Sequence, residues 1–188
     1  NFNLKIFDAA EITIHGGSMR YFVSHDNSNI AAEISKNASS IKANEIRKGF
    51  NKLETFQNFA SNIEKTKVEL MNLIEDLKKK GKSIVGYGAS GRANTLIQYC
   101  GITHQHLDYI IDDAPAKLGF FTPGSHFEIK SKQALELDPP DYVLVFAWSF
   151  FKEIAMKNTT FLNQGGKMIS PLPSLKVIEG LSSFKETS

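Results

Sequence analysis

Residues 83–96, Ser83-Ile84-Val85-Gly86-Tyr87-Gly88-Ala89-Ser90-Gly91-Arg92-Ala93-Asn94-Thr95-Leu96, read as an apolar strand, a glycine turn and the start of a helix. The glycines fit G-x-G-x-x-G, a weak motif that gains meaning here from the strand before it and the helix after it. A helix N-terminus in such a turn offers unpaired N–H groups and the positive end of the helix dipole, where phosphate binds readily. Gly86 permits the tight turn, Gly88 lets the backbone approach a ligand, and Gly91 lets the helix pack on the strand. Arg92 adds a bidentate donor for phosphate, and Ser90 and Asn94 add hydroxyl and amide donors. Asp112 ends the next strand, about 20 residues after Gly91, where a ribose-binding acid would sit. A tight connection that holds no ligand is the plain alternative.

Working outward, residues 82–180 alternate strand and helix. "KSIVGYG" is a strand, "GRANTLIQYCG" a helix ending at Gly101, and "LDYIIDD" a strand closing on two aspartates. "HFEIKSKQALEL" gives a short strand and a short helix, and "DYVLVFAW" a buried strand. "SFFKEIAMKNTTFLNQ" reads as one helix and "KMISPLP" as a last strand. Strands without polar alternation, separated by helices, mean a parallel sheet covered on both faces. The expected fold is α/β, a Rossmann-like doubly wound parallel sheet.

Before it, "EITIHGGSMRYFVS" reads as a hairpin turning at Gly16-Gly17. A lone hairpin is marginally stable, so these strands call for a partner. "HDNSNIAAEISKNASS" is polar and turn-rich and reads as a linker with room for one short helix. Leu53, Phe56, Ala60, Ile63, Lys67, Leu70, Ile74 and Leu77 then step by threes and fours, which predicts one long helix or two nearly continuous ones over 51–77 with one docking stripe, stopped by Gly81. The expected divisions are 1–38 for terminal strands and linker, 39–81 for connecting helices and 82–188 for the Rossmann-like domain.

The 188 residues suffice for one core or somewhat more, and 41% are hydrophobic, as in globular proteins. A net charge of +2 is too small to argue for nucleic acid or a membrane surface. The lone Cys100, at an apolar helix end, excludes an internal disulfide and a multi-cysteine metal site. No apolar run approaches a membrane span and no signal peptide is visible, so a cytoplasmic location is the default expectation. The chain opens on Asn1 in strand-like sequence, which suggests a fragment lacking an N-terminal part.

Two details weigh against NAD. Arg92 puts a bulky cation where dinucleotide folds pack small residues against the pyrophosphate. The loop "DDAPAKLGFFTPGSHFEI", with Lys117 and His126, falls at the carboxyl end of the sheet, where ligands of such folds bind.

Taken in order, "HGGSMRYFVS", "GYGASGRANTLIQYCGI", "YIIDDAPAKLGFFTPGSHFEI", "DYVLVFAWSF" and "GGKMISPLPSLKVI" resemble the C-terminal part of the nucleotide-sugar C-methyltransferases. The resemblance runs from about Glu11 to Ile178. It implies a parent enzyme that uses S-adenosylmethionine to methylate a carbon beside a keto group on a nucleoside-diphosphate sugar. Proton removal alpha to the carbonyl gives an enolate, whose carbon attacks the sulfonium methyl; a general base and donors for the enolate oxygen are needed. In that family the base segment, the cofactor motif and the zinc cysteines lie upstream of the part matched here. The hairpin would then remain from an upstream methyltransferase domain, a partner of this chain, and the chain would transfer no methyl group alone and hold no cofactor.

The resemblance also implies that the glycine turn cradles the diphosphate, with Tyr87, Gly88, Ala89, Ser90 and Arg92 near the phosphates and Asn94 lining the same turn. Where the family often has "GAPAKG", this chain has "GASGRAN", with Arg92 in the basic place. His126 is expected to face the crevice, for ligand contact or loop scaffolding. His15 could approach the reacting sugar or be a hairpin residue, and Tyr21 could reach the same cleft or be a sheet-face aromatic. Trp148 with Phe150 and Phe151 could wall a base or sugar or pack in the core. Asp112 is a candidate for ribose or sugar, whereas Asp113 is expected to cap the next turn. His104 and His106 read as a surface loop. Two other readings stay open: an NAD(P)-binding domain of an oxidoreductase or sensor, and a ligand-free scaffold that self-associates through the hairpin or the helix stripe.

Overall fold

A computed structural model describes residues 2–14, 17–31 and 33–180. The chain divides into two compact units between Asn62 and Ile63.

In the first unit, β1 (Leu4–Ile12) and β2 (Ser18–His25) form an antiparallel ribbon. A bulge between Ile6 and Asp8 shifts the register, so Val23 faces Ile6 while Tyr21 faces Ala9. Directly paired residues share a side of the ribbon. Leu4, Ile6, Tyr21 and Val23 thus lie on one side, and all four are about half exposed. Helix α1 (Lys36–Arg47) begins within the linker stretch that had room for a short helix, where Ser35 caps it by accepting from the Ala38 N–H at 3.0 Å. The Ser35 hydroxyl also bonds the Asp8 carboxylate, which pins the cap to β1.

Helix α2 (Leu53–Lys79) is continuous and ends as expected: Gly81 is left-handed, and the Lys82 N–H donates to Leu77 O at 3.0 Å. Its apolar stripe divides. Leu70, Ile74 and Leu77 are buried, but Leu53, Phe56 and Ile63 are exposed.

In the second unit, β3 (Ile84–Tyr87), β4 (Ile110–Ile111), β5 (Ile129–Lys130), β6 (Tyr142–Val145), β7 (Lys167–Ser170) and β8 (Lys176–Ile178) form one sheet in the order β5-β4-β3-β6-β7-β8. All pairs are parallel except β7 with β8. This is a Rossmann-like strand order, and the chain reverses direction between β3 and β6. One face packs under α2 and α3 (Gly91–Cys100) through Leu70, Ile74, Ala93 and Ile97. The other packs under α4 (Ala134–Leu137), α5 (Phe151–Lys157) and α6 (Thr159–Asn163) through Leu135, Ile154 and Phe161. Cys100 is buried in the first of these cores.

Two expectations are corrected. The single helix over 149–164 is broken at Asn158, whose buried amide donates to Ile154 O at 2.8 Å and competes with the backbone ladder. The "KMISPLP" strand is not the last: after the two prolines β8 returns antiparallel to β7.

Candidate functional site at the strand switch point

The reversal between β3 and β6 leaves a crevice at the carboxyl ends of the strands, where open α/β sheets bind ligands. The turn after β3 forms one wall. Ser90 caps α3, its hydroxyl accepting from the Ala93 N–H at 3.3 Å. The cap leaves the Gly91 and Arg92 N–H groups at the helix start facing outward. A Cβ at Gly91 would meet nothing within 4 Å, so this glycine is not required by helix–strand packing, contrary to expectation. Gly88 is required: its φ is +95°, and a Cβ there would lie 3.2 Å from the Ala147 side chain.

Arg92 reaches across the crevice. Its guanidinium donates to Ser149 Oγ at 3.0 Å and lies 5.4 Å from the centroid of the Trp148 ring. The exposed cation is thereby held beside the open start of α3, which is positive by its dipole. Asn94 sits half-buried one turn further along α3.

Both aspartates are bonded within the protein, and it is Asp112 that caps the turn expected of Asp113. Asp112, 7% exposed, caps the turn by accepting from the Ala114 N–H at 2.9 Å. Its other oxygen accepts from the Ala89 N–H at 2.8 Å and from Lys117 Nζ at 2.9 Å. Lys117 also donates to Ala89 O at 2.8 Å. Asp112 and the Ala89 amide are therefore engaged with one another within the protein, while Asp112 also lines the cavity beside Gly88. Asp113 instead accepts the Tyr87 hydroxyl at 2.8 Å. Burial, then this bond, pushes the Tyr87 phenol up to about 12.

A cavity of about 370 Å³ opens on the α5 side of Gly88, lined among others by Tyr87, Asp113, Ala147, Phe150, Glu153 and Lys157. That volume lies in the ordinary range for small-molecule sites. Phe151, the first residue of α5, does not line it and packs against the core on that face of the sheet.

His126 is not at the crevice. Its turn lies at the opposite end of the sheet, where Gly124 approaches the Gln98 side chain near the end of α3 and the His104 ring packs tilted against Phe127, centroids 4.5 Å apart. His126 itself takes a left-handed conformation, with φ 55°, inside this turn. His106 Nδ1 accepts from the Thr103 N–H at 2.9 Å, a local loop bond. Tyr21 belongs to the first unit and is 56% exposed on the ribbon. His15 lies outside the described residues. Among the described residues, no three His, Cys, Asp or Glu side chains are grouped to hold a metal ion.

The family model of the C-methyltransferase C-terminal domain matches residues 13–173, from the hairpin turn through the crevice to the segment after β7. This chain belongs to that family. It is also 29% identical over 181 residues to the C-methyltransferase NovU of Streptomyces niveus, across 96% of this chain and 43% of that protein. The chain thus spans less than half the length of this relative.

Within the C-methyltransferase C-terminal domain family frame, the crevice brings together Tyr87, Gly88, Ala89, Ser90, Arg92 and Trp148. Sequence reasoning missed the Asp112–Lys117 clamp, the Tyr87–Asp113 pair, the Ser149 partner of Arg92, and Glu153 with Lys157. The last two stand on the short helix that follows the β6 turn, Glu153 in its first turn and Lys157 at its end, which is the signal that could have found them. The Tyr87–Asp113 pair left no local trace. No helix among the described residues is long and apolar enough to cross a membrane.

Proposed function

We propose that this chain is the substrate-side portion of an S-adenosylmethionine-dependent C-methyltransferase acting on a keto nucleoside-diphosphate sugar, with the diphosphate at the start of α3. The observation that carries the reading is Arg92, held by Ser149 and Trp148 over an open helix N-terminus in a C-methyltransferase C-terminal domain. The Gly91 and Arg92 N–H groups and the guanidinium supply donors that suit phosphate oxygens. Trp148 flanks them as a flat apolar wall.

The residues described here do not fit zinc, and the sequence carries no cofactor motif for S-adenosylmethionine; both would belong to an upstream methyltransferase domain. The exposed side of the β1–β2 ribbon suits contact with such a domain. On this reading the chain binds and orients the sugar nucleotide and does not transfer the methyl group alone.

The NAD reading rests on the glycine fingerprint and on Asp112 as a ribose acceptor. That carboxylate already takes two N–H groups and an ammonium, which weighs against it.

The deciding experiment is a thermal-shift titration with dTDP, UDP, CDP, GDP, NAD and NADP. Ligand at a hundredfold excess over its dissociation constant adds about 2.7 kcal/mol of stability. A nucleoside diphosphate is expected to raise the melting temperature, and Arg92→Ala to abolish the rise. A rise with NAD alone would overturn the reading.

A further inference from the structure

The crevice is electrically two-sided. On the α3 side of Gly88 stand Arg92 and the open helix start. On the α5 side, Asp112 is neutralised by Lys117, which leaves the carboxylates of Asp113 and Glu153 against the single ammonium of Lys157. A diphosphate is attracted to the first side and repelled by the second. The second side is also shaped: Phe150 and Ile154 give the cavity an apolar wall, and Tyr87 spends its proton on Asp113 Oδ1. That bond fixes the Asp113 carboxylate and leaves Oδ2 to accept from a ligand.

We infer that the α5-side cavity takes the uncharged, hydroxyl-bearing part of the ligand, with Asp113 and Glu153 accepting from its hydroxyl groups. The inference rests on the nucleotide-sugar reading, since it needs the diphosphate at Arg92. Carboxylates suit paired hydroxyls because each oxygen accepts strongly, and the apolar wall suits the C–H face of a sugar ring. The hydroxyls belong either to the ribose or to the hexose, and one set of titrations separates the two.

Calorimetric titration of the chain uses pyrophosphate, UDP, 2′-deoxy-UDP, UDP-glucose, dTDP and dTDP-glucose. If the cavity holds the hexose, each glucose conjugate binds about tenfold more tightly than its parent diphosphate, one hydrogen bond to a charged group. If it holds the ribose, UDP exceeds 2′-deoxy-UDP by a similar factor. In either case Asp113→Asn and Glu153→Gln are expected to erase that difference and leave pyrophosphate affinity unchanged or slightly raised, as the lost repulsion requires, while Arg92→Ala weakens every ligand. Both carboxylates are exposed, so both variants are expected to fold. Wild-type binding with unchanged differences in both variants would overturn the inference and leave the nucleotide-sugar reading standing. No binding of any nucleoside diphosphate by the wild type would overturn both.

Discussion

Asp112 and Lys117 form an ion pair 2.9 Å long, and each also holds one end of the same residue, Ala89. The carboxylate takes its N–H and the ammonium donates to its carbonyl. The glycine turn is thus clamped from the β4 side, one residue before the capped start of α3.

Removing the acceptor is expected to cost more than removing the donor. Asp112→Ala removes a buried carboxylate and strands the Ala89 and Ala114 N–H groups, and is expected to destabilise the chain by about 2–4 kcal/mol. Lys117→Met leaves Asp112 two N–H partners, and the lysine side chain is 42% exposed, so a loss of about 1 kcal/mol or less is expected. Urea unfolding of the two variants checks the order.

The glycines of the fingerprint are expected to behave differently. Gly88→Ala meets both a left-handed backbone and the Ala147 side chain, and is expected to cost about 1–2 kcal/mol, a fall of several degrees in Tm for a chain this size. Gly91→Ala enters open space at a helix start and is expected to leave Tm unchanged or to raise it by a degree or two, about 0.4–1 kcal/mol at most. Calorimetric melting separates them. If phosphate occupies the space over Gly91, that variant also loses nucleotide affinity without losing stability.

Alkaline pH reports on Tyr87. An unfolded tyrosine titrates near about 10, whereas the buried, Asp113-bonded phenol of the folded chain titrates at about 12. The folded state keeps the proton that the unfolded state releases. The contribution is therefore complete below pH ~10 and is lost between about 10 and 12, some ~2–3 kcal/mol in all. Tyr87→Phe is expected to flatten this part of the stability curve; an unchanged slope would contradict the assignment.

The ribbon's half-exposed apolar side is expected to drive self-association of the isolated chain. Light scattering should show a mass above the monomer that falls with dilution, and Ile6→Thr with Val23→Thr should shift the distribution toward monomer. A wild type that stays monomeric at high concentration would count against this.

The sheet was legible because its strands are bounded by glycine and aspartate punctuation and carry uniform apolar runs. The α3 boundaries could be read from Ser90 and Gly101, since both ends rest on local chemistry. What escaped was settled by contacts distant in sequence or by competition within a turn. Asn158 breaks a helix whose periodicity continues across it, and β8 exists because β7 offers it an edge. The site was legible to the same degree. The glycine turn and Arg92 were in the open, but what each aspartate bonds depends on Lys117 and Tyr87, 5 and 26 residues from their partners. His126 was misplaced because its loop runs back along the edge of β5, as Gly119 N–H bonding to Ile129 O at 2.9 Å shows.

The close approach of Gly88 to Ala147 has a kinetic consequence. The Phe146 N–H donates to Tyr87 O at 2.9 Å and the Gly88 N–H to Ile111 O at 2.7 Å, so the turns after β3, β4 and β6 are tied by main chain up to the crevice itself. The distance between the walls is then a property of the backbone. Within this unit no hinge has to shut before a ligand is held, and only side chains such as Arg92 need to settle. Stopped-flow mixing is accordingly expected to give one phase whose rate rises linearly with ligand concentration, without the plateau that a closing step imposes.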